Sequence, residues 1–157
     1  MVNAASGKPA IRIRAAAVIL NKKNELLLVN HVKNNKSYWL FPGGGVEYGE
    51  KISAAIMREL KEELSIAGAV LKNPVFMHET IFPQKKRHIF NIYFRVILGK
   101  KTGVSVNPEK ILKGACFINR EKFRKIRFYP VIKNVILKMW KKGFTENRGF
   151  IDAGIET

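Results

Sequence analysis

The run from Lys51 to Leu64 holds neither Pro nor Gly and is built from Ile, Ala, Met, Leu, Lys, Glu, Arg and one Ser. That composition predicts a helix. Ile52, Ile56, Leu60 and Leu64, with Met57, recur at helical spacing and make one apolar stripe. Glu59, Glu62 and Glu63 stand three and four positions apart and project together from another side. Like charges so placed repel, and Arg58 and Lys61 offset only part of that repulsion. Carboxylates kept together in this way point to a bound hard cation, Mg²⁺ or Mn²⁺, with oxygen ligands. The alternative is a solvated helix face. Glu50 sits at the helix start, where a carboxylate meets the positive end of the helix dipole.

Ahead of the helix runs Trp39-Leu40-Phe41-Pro42-Gly43-Gly44-Gly45-Val46-Glu47-Tyr48-Gly49. Three successive glycines remove side-chain bulk and permit positive φ, so the backbone can approach a ligand closely. Gly44 and Gly45 are therefore candidates for substrate contact. A glycine-rich loop feeding an acidic helix suits a cradle for a metal-bound diphosphate.

Taken together the segment reads Gly44-x5-Glu50-x7-Arg58-Glu59-Leu60-Lys61-Glu62-Glu63-Leu64-Ser65-Ile66. It resembles the signature of the Nudix hydrolases, G-x5-E-x7-R-E-U-x-E-E-x-G-U with U aliphatic, and departs from it only at Ser65. So many fixed positions in one short stretch make the resemblance specific. It extends more loosely to the flanks, over about Ile11 to Lys142. The resemblance implies an enzyme that hydrolyses the diphosphate linkage of a nucleoside diphosphate derivative with Mg²⁺ or Mn²⁺. It implies Glu59, Glu62 and Glu63 as metal ligands, with the Gly43 carbonyl a further one. Glu59 or Glu63 would activate the attacking water, and Arg58 would pair with Glu50 to fix helix against loop. Glu109, after Asn107-Pro108, matches a late-loop carboxylate that some members use as ligand or base; an exposed loop glutamate is the alternative. Pro83 points faintly to ADP-ribose-like substrates. The family glycine at position 65 would end the helix with positive φ, which costs another residue about 1 kcal/mol.

The chain has 157 residues, enough for one domain with a real core. The expected division is a leader over 1–9, a domain over 10–142 and a tail over 143–157. Cys116 is the single cysteine and lies in an apolar stretch, so it reads as a buried strand thiol and excludes an internal disulfide framework. Ala15 to Leu20 is too short to span a membrane, and no targeting run is evident. A cytoplasmic location is expected by default, with the oligomeric state left open, a homodimer included.

Ile11 to Leu20 reads as a strand, with Leu26 to Val29 its hairpin partner across Asn21 to Asn24. Further strands are expected at Tyr38 to Phe41, Ala69 to Thr80, His88 to Leu98 and Ala115 to Ile118. Helices are expected at Arg120 to Lys125 and Val131 to Lys142. Strands then helix, twice over, predict an α/β/α sandwich on a mixed sheet, which is also the Nudix-type fold. Arg12 and Arg14 alternate on the first strand, where one face can meet a phosphate; a solvated strand edge is the alternative. Glu79 is a second and weaker candidate for the extra carboxylate role of Glu109, and His78 and His88 are weak candidates for substrate contact, with a simple polar strand end as the alternative.

Lys and Arg number 29 against 12 Asp and Glu, a formal net charge of +17. Lys85-Lys86-Arg87 and the run from Arg120 to Lys142 concentrate this charge. Such a field attracts nucleotides and polyphosphates, and it also suits nucleic acid held through phosphates. Solubility charge with no partner is the plain alternative. The functional expectation is thus a Mg²⁺-dependent pyrophosphohydrolase on a nucleotide sugar, ADP-ribose-like compound or nucleoside triphosphate. An enzyme removing pyrophosphate or a cap from RNA 5′ ends comes second, and a non-catalytic nucleotide-sensing module third.

Overall fold

The strand β1 (Arg12–Val18) is covered on both faces, since Ala15, Ala16, Ala17 and Val18 are all fully buried. This is why its second half is an unbroken apolar run rather than an alternation. The computed structural model describes residues 10–100, 102–104, 112–152 and 155; the leader 1–9 and Glu109 lie outside the described residues. After β1 come β2 (Leu26–Lys33), β3 (Lys36–Leu40), β4 (Gly43–Gly45) and α1 (Ile52–Leu64). Then follow β5 (Val70–Phe82), a 3-10 turn, β6 (Arg87–Ile97), β7 (Leu112–Ile118), α2 (Arg120–Lys125), α3 (Lys133–Lys141) and β8 (Phe150–Ile151).

Two sheets form. The larger is mixed, in the order β4-β1-β6-β5-β8, with β1 parallel to β6 and β5 parallel to β8. The smaller is antiparallel, in the order β3-β2-β7. Ala15, Ala17 and Ile19 share a core with Ile56, Leu60 and Leu64 of α1. Ala16 and Val18 share a second core with Ile136, Met139 and Trp140 of α3. Helices therefore flank the mixed sheet on both sides, which is the expected α/β architecture. Trp140 also donates its indole N–H to the carbonyl of Asn24 at 3.0 Å, tying α3 to the turn after β1.

The helix α1 buries Ala55, Ile56, Leu60, Glu63 and Leu64. It ends at Ser65, which adopts φ 55° and ψ 25°. The N–H of Ile66 reaches back to the carbonyl of Leu60 at 3.1 Å, and both side chains lie in the same core. This is the left-handed helix stop that usually takes glycine. Ser65 thus occupies the geometry the signature reserves for Gly, and Gly68 adopts a second positive φ of 71° just beyond.

Two expectations need correction. β2 is not the sheet partner of β1: the two touch at the Leu20 and Leu26 bridge and then part into different sheets. Both hydrogen-bonding edges of β1 are already taken, by β4 and β6. The glycine segment is a short paired strand rather than a free loop, with Gly44 opposite Ala15. Within the expected tail, residues 144–151 pack onto the domain: Phe144 is buried, the N–H of Arg148 meets the carbonyl of Val75 at 2.8 Å, and β8 pairs with β5. Its anchors are isolated aromatics among Gly and polar residues, which is why its periodicity is weak.

Candidate active site

Strand β4 and helix α1 meet through backbone that only glycine permits. Gly43 has φ 142°, and a Cβ there would run into the carbonyl oxygen of Ala15 and the Cα of Ala16. A Cβ on Gly44 would instead run into the carboxylate of Glu59. The glycines let the acidic face of α1 close directly on the strand. The N–H of Gly43 donates to Glu63 Oε2 at 3.3 Å, inside the protein, where Glu63 is only 8% exposed.

Arg58 locks this contact. Its Nε and Nη2 donate to the two carboxylate oxygens of Glu50 at 2.8 and 2.9 Å. Nη2 also donates to the carbonyl of Gly45 at 3.0 Å, and Nη1 to Glu59 Oε1 at 2.7 Å. Glu62 stands 3.6 Å from the same Nη1 and is more exposed than Glu59. The fork geometry of guanidinium permits this simultaneous grip on helix, strand and preceding turn. Its positive charge also offsets the repulsion among Glu50, Glu59 and Glu62. The guanidinium, with the N–H of Glu47 behind it, holds the Glu50 carboxyl down to about 2. The same carboxylates push Arg58 up from its ordinary value.

Glu59 and Glu63 are therefore brought to Gly43 and Gly44, with Glu62 beside them on the helix. Among the described residues no three His, Cys, Asp or Glu side chains are gathered closely enough to enclose a metal ion. As a donor set the site still fits a hard divalent cation. It offers carboxylate oxygens, and a cradle at Gly44 that a Cβ would fill beside Glu59.

Arg14 donates from Nη2 to the carbonyls of Phe41 at 2.8 Å and Gly43 at 3.1 Å, which places a cation beside the glycine strand. Arg12 lies on the exposed end of β1, near Gly45. A cleft of about 560 Å³ opens from Gly43 and Arg14 and is floored by Thr80, Asn91 and Tyr93. Thr80 and Asn91 are buried polar residues joined at 3.3 Å. They are functional candidates that a reading by motif overlooks. The available signal is a polar residue inside an otherwise apolar strand pattern. His31, Tyr38 and Tyr129 on the cleft wall carried no sequence signal of that kind.

The weaker candidates fall elsewhere. His78 is buried in mid-strand with Nδ1 3.5 Å from the Thr80 hydroxyl, and burial lowers its pKa. Glu79 and His88 pair with each other at 2.9 Å. Cys116 is partly buried, and burial pushes its thiol up. Among the described residues no helix is long and apolar enough to cross a membrane.

Residues 10–142 match the family model described as the NUDIX domain. An RNA pyrophosphohydrolase of Pelagibacter ubique is 39% identical over 61 residues, which cover 39% of this chain and 39% of that protein. An ADP-ribose pyrophosphatase of Methanocaldococcus jannaschii is 35% identical over 78 residues, 48% of this chain and 45% of that protein. The aligned stretches thus span less than half the length of both relatives. A NUDIX hydrolase structure from Nitrosomonas europaea superposes with a TM-score of 0.71 at 16% identity, covering 88% of this chain and 94% of that one.

Proposed function

The chain belongs to the NUDIX family, and on that premise we propose that it is a pyrophosphohydrolase that cleaves the diphosphate linkage of a nucleoside diphosphate derivative. The observation that carries this is the closure of Glu59 and Glu63 onto Gly43 and Gly44 under the grip of Arg58. Carboxylates and backbone converge there beside a cleft whose charged lining, among the described residues, is basic. Glu59, Glu62 and Glu63, with the Gly43 carbonyl, would hold Mg²⁺ or Mn²⁺. When bound, the cation supplies polarisation of phosphoryl oxygens and neutralisation of leaving-group charge.

The chain's own residues do the rest. Glu59 or Glu63 accepts the proton of the attacking water, a step that needs a carboxylate within hydrogen-bond reach. Glu63 lies against the Gly43 N–H and is shielded from bulk water, which strengthens its electrostatic effect. Arg58 and Glu50 are positioning residues that keep α1 seated on β4. Arg14, beside Gly43, faces the cleft as a phosphate-binding cation. Thr80 and Asn91 offer a hydroxyl and an amide to the substrate's polar edge.

RNA 5′ ends are the second substrate class, and the charge of the cleft favours them. Arg14, Lys33, Lys36, Lys85, Arg87 and Arg127 line it, and among the described residues no Asp or Glu does. The similarity to an RNA pyrophosphohydrolase agrees in direction. Incubation with Mg²⁺ or Mn²⁺ and a panel of ADP-ribose, nucleotide sugars, nucleoside triphosphates and triphosphorylated RNA tests both. Product is expected from at least one member, and silence across the whole panel contradicts the proposal.

A further inference from the structure

The cleft continues outward from Gly43 to a wall that diphosphate hydrolysis does not use. His31 and Tyr38 stand opposite each other on β2 and β3 and stack, with ring centroids 5.7 Å apart and planes at 25°. Tyr38 meets Tyr129 edge-on at 5.5 Å. The Arg127 guanidinium lies 5.6 Å over the Tyr129 ring and donates to its hydroxyl at 3.1 Å. Nε2 of His31 is closed off from solvent and has no hydrogen-bond partner among the described residues. The ring is thus held in the wall by stacking against Tyr38.

The rims of the same cleft are cationic. Lys33 and Lys36 are exposed at the turn between β2 and β3. Lys85 and Arg87 stand on the facing turn, 5.0 and 5.9 Å over the ring of Phe82. None of the six cleft cations has a carboxylate partner among the described residues. One diphosphate linkage near Gly43 leaves the outer cations without an anion. A chain with a phosphate at every step supplies one at each rim. Stacked aromatics beside a cationic track hold single strands irrespective of sequence. A duplex would not fit, because its base faces are already stacked.

We propose that His31, Tyr38 and Tyr129 form a stacking station for the second nucleotide of a single strand. The strand's 5′ end lies toward Gly43, and Lys33, Lys36 and Arg127 hold its phosphates. This station presupposes that the cleft is where the diphosphate linkage is hydrolysed.

The test is fluorescence anisotropy on the full chain without divalent metal, using labelled 5′-monophosphorylated oligoribonucleotides of one, two and four nucleotides. Affinity is expected to rise about tenfold or more from one nucleotide to two, the range of one base stacked on an aromatic ring. Tyr38→Ala with Tyr129→Ala is expected to abolish that gain. Those rings also pack, so Lys33→Gln with Lys36→Gln provides a second test on exposed side chains. For the tetranucleotide, it should flatten the slope of log affinity against log salt by about 0.7 per lysine. Affinity independent of length overturns the station, as does a slope unchanged in the lysine variant. Deoxy oligomers giving the same gain support the station without sugar selectivity, whereas a gain confined to RNA supports it with contact to the 2′-hydroxyl. Mononucleotides hydrolysed with Mg²⁺ but no gain with length would sink the station alone. A gain with length but no hydrolysis of any substrate would sink the hydrolase reading instead.

Discussion

Arg58 and Glu50 are eight residues apart in sequence and meet through two parallel hydrogen bonds of 2.8 and 2.9 Å. Because the same guanidinium holds the Gly45 carbonyl, one side chain fixes the angle between helix and strand. Lysine offers a point charge and cannot reproduce the fork. Arg58→Lys is expected to lower kcat/KM by about 10- to 100-fold, the usual loss when a residue orienting metal ligands is removed. Steady-state kinetics over a range of Mg²⁺ concentrations check this, and a requirement for more Mg²⁺ should accompany the loss.

The pair also fixes an acid dependence. The folded-state carboxyl of Glu50 is held at about 2, against an ordinary value of 4.5. The unfolded chain therefore binds the extra proton first as pH falls, and stability rises with pH across that window. The contribution is complete above about 4.5 and is lost as pH falls through about 2. Urea unfolding of wild type and Glu50→Gln at stepped pH should show a smaller pH slope in the variant between these values. Identical slopes would contradict the pairing.

Gly43 and Gly44 should fail in different ways when changed to Ala. At Gly43 the added Cβ meets backbone of β1 and the φ of 142° is unfavourable, so Gly43→Ala should destabilise by about 2 kcal/mol or more. At Gly44 the obstacle is the Glu59 side chain, which can swing away. Gly44→Ala should fold nearly as well and lose most activity. Thermal unfolding beside kinetics separates the two.

Ser65 holds a left-handed helix stop at φ 55°. Ser65→Gly removes the Cβ penalty there while adding some entropy to the unfolded chain, for a net gain of about 0.5–1 kcal/mol. Denaturant unfolding measures this, with activity expected to stay at the wild-type level.

The parts of this protein legible in its sequence are those fixed by local spacing. The helical period of Ile52, Ile56, Leu60 and Leu64 gives α1, and the expected helix at Arg120 to Lys125 forms over those residues. The acidic face follows from the same stretch, whereas the glycines read as a loop and become a strand only by pairing with β1. Parting of β1 from β2 is a long-range outcome, decided by β4 and β6 occupying both edges of β1. The floor of the cleft is illegible for a similar reason. Thr80 and Asn91 sit on different strands, and only the pairing of β5 with β6 brings them together. His31 and Tyr38 meet only through the register of β2 with β3.

The central claim is that Glu59 and Glu63 carry out diphosphate hydrolysis at the glycine strand. Its most direct test is product release with Mg²⁺ or Mn²⁺, comparing wild type, Glu59→Gln and Glu63→Gln on the best substrate of the panel. Glutamine keeps the size and one acceptor oxygen but removes the charge. Each substitution is expected to lower kcat by about 10²-fold or more, the scale of losing a positioned proton acceptor. Glutamine variants that turn over at the wild-type rate would contradict it.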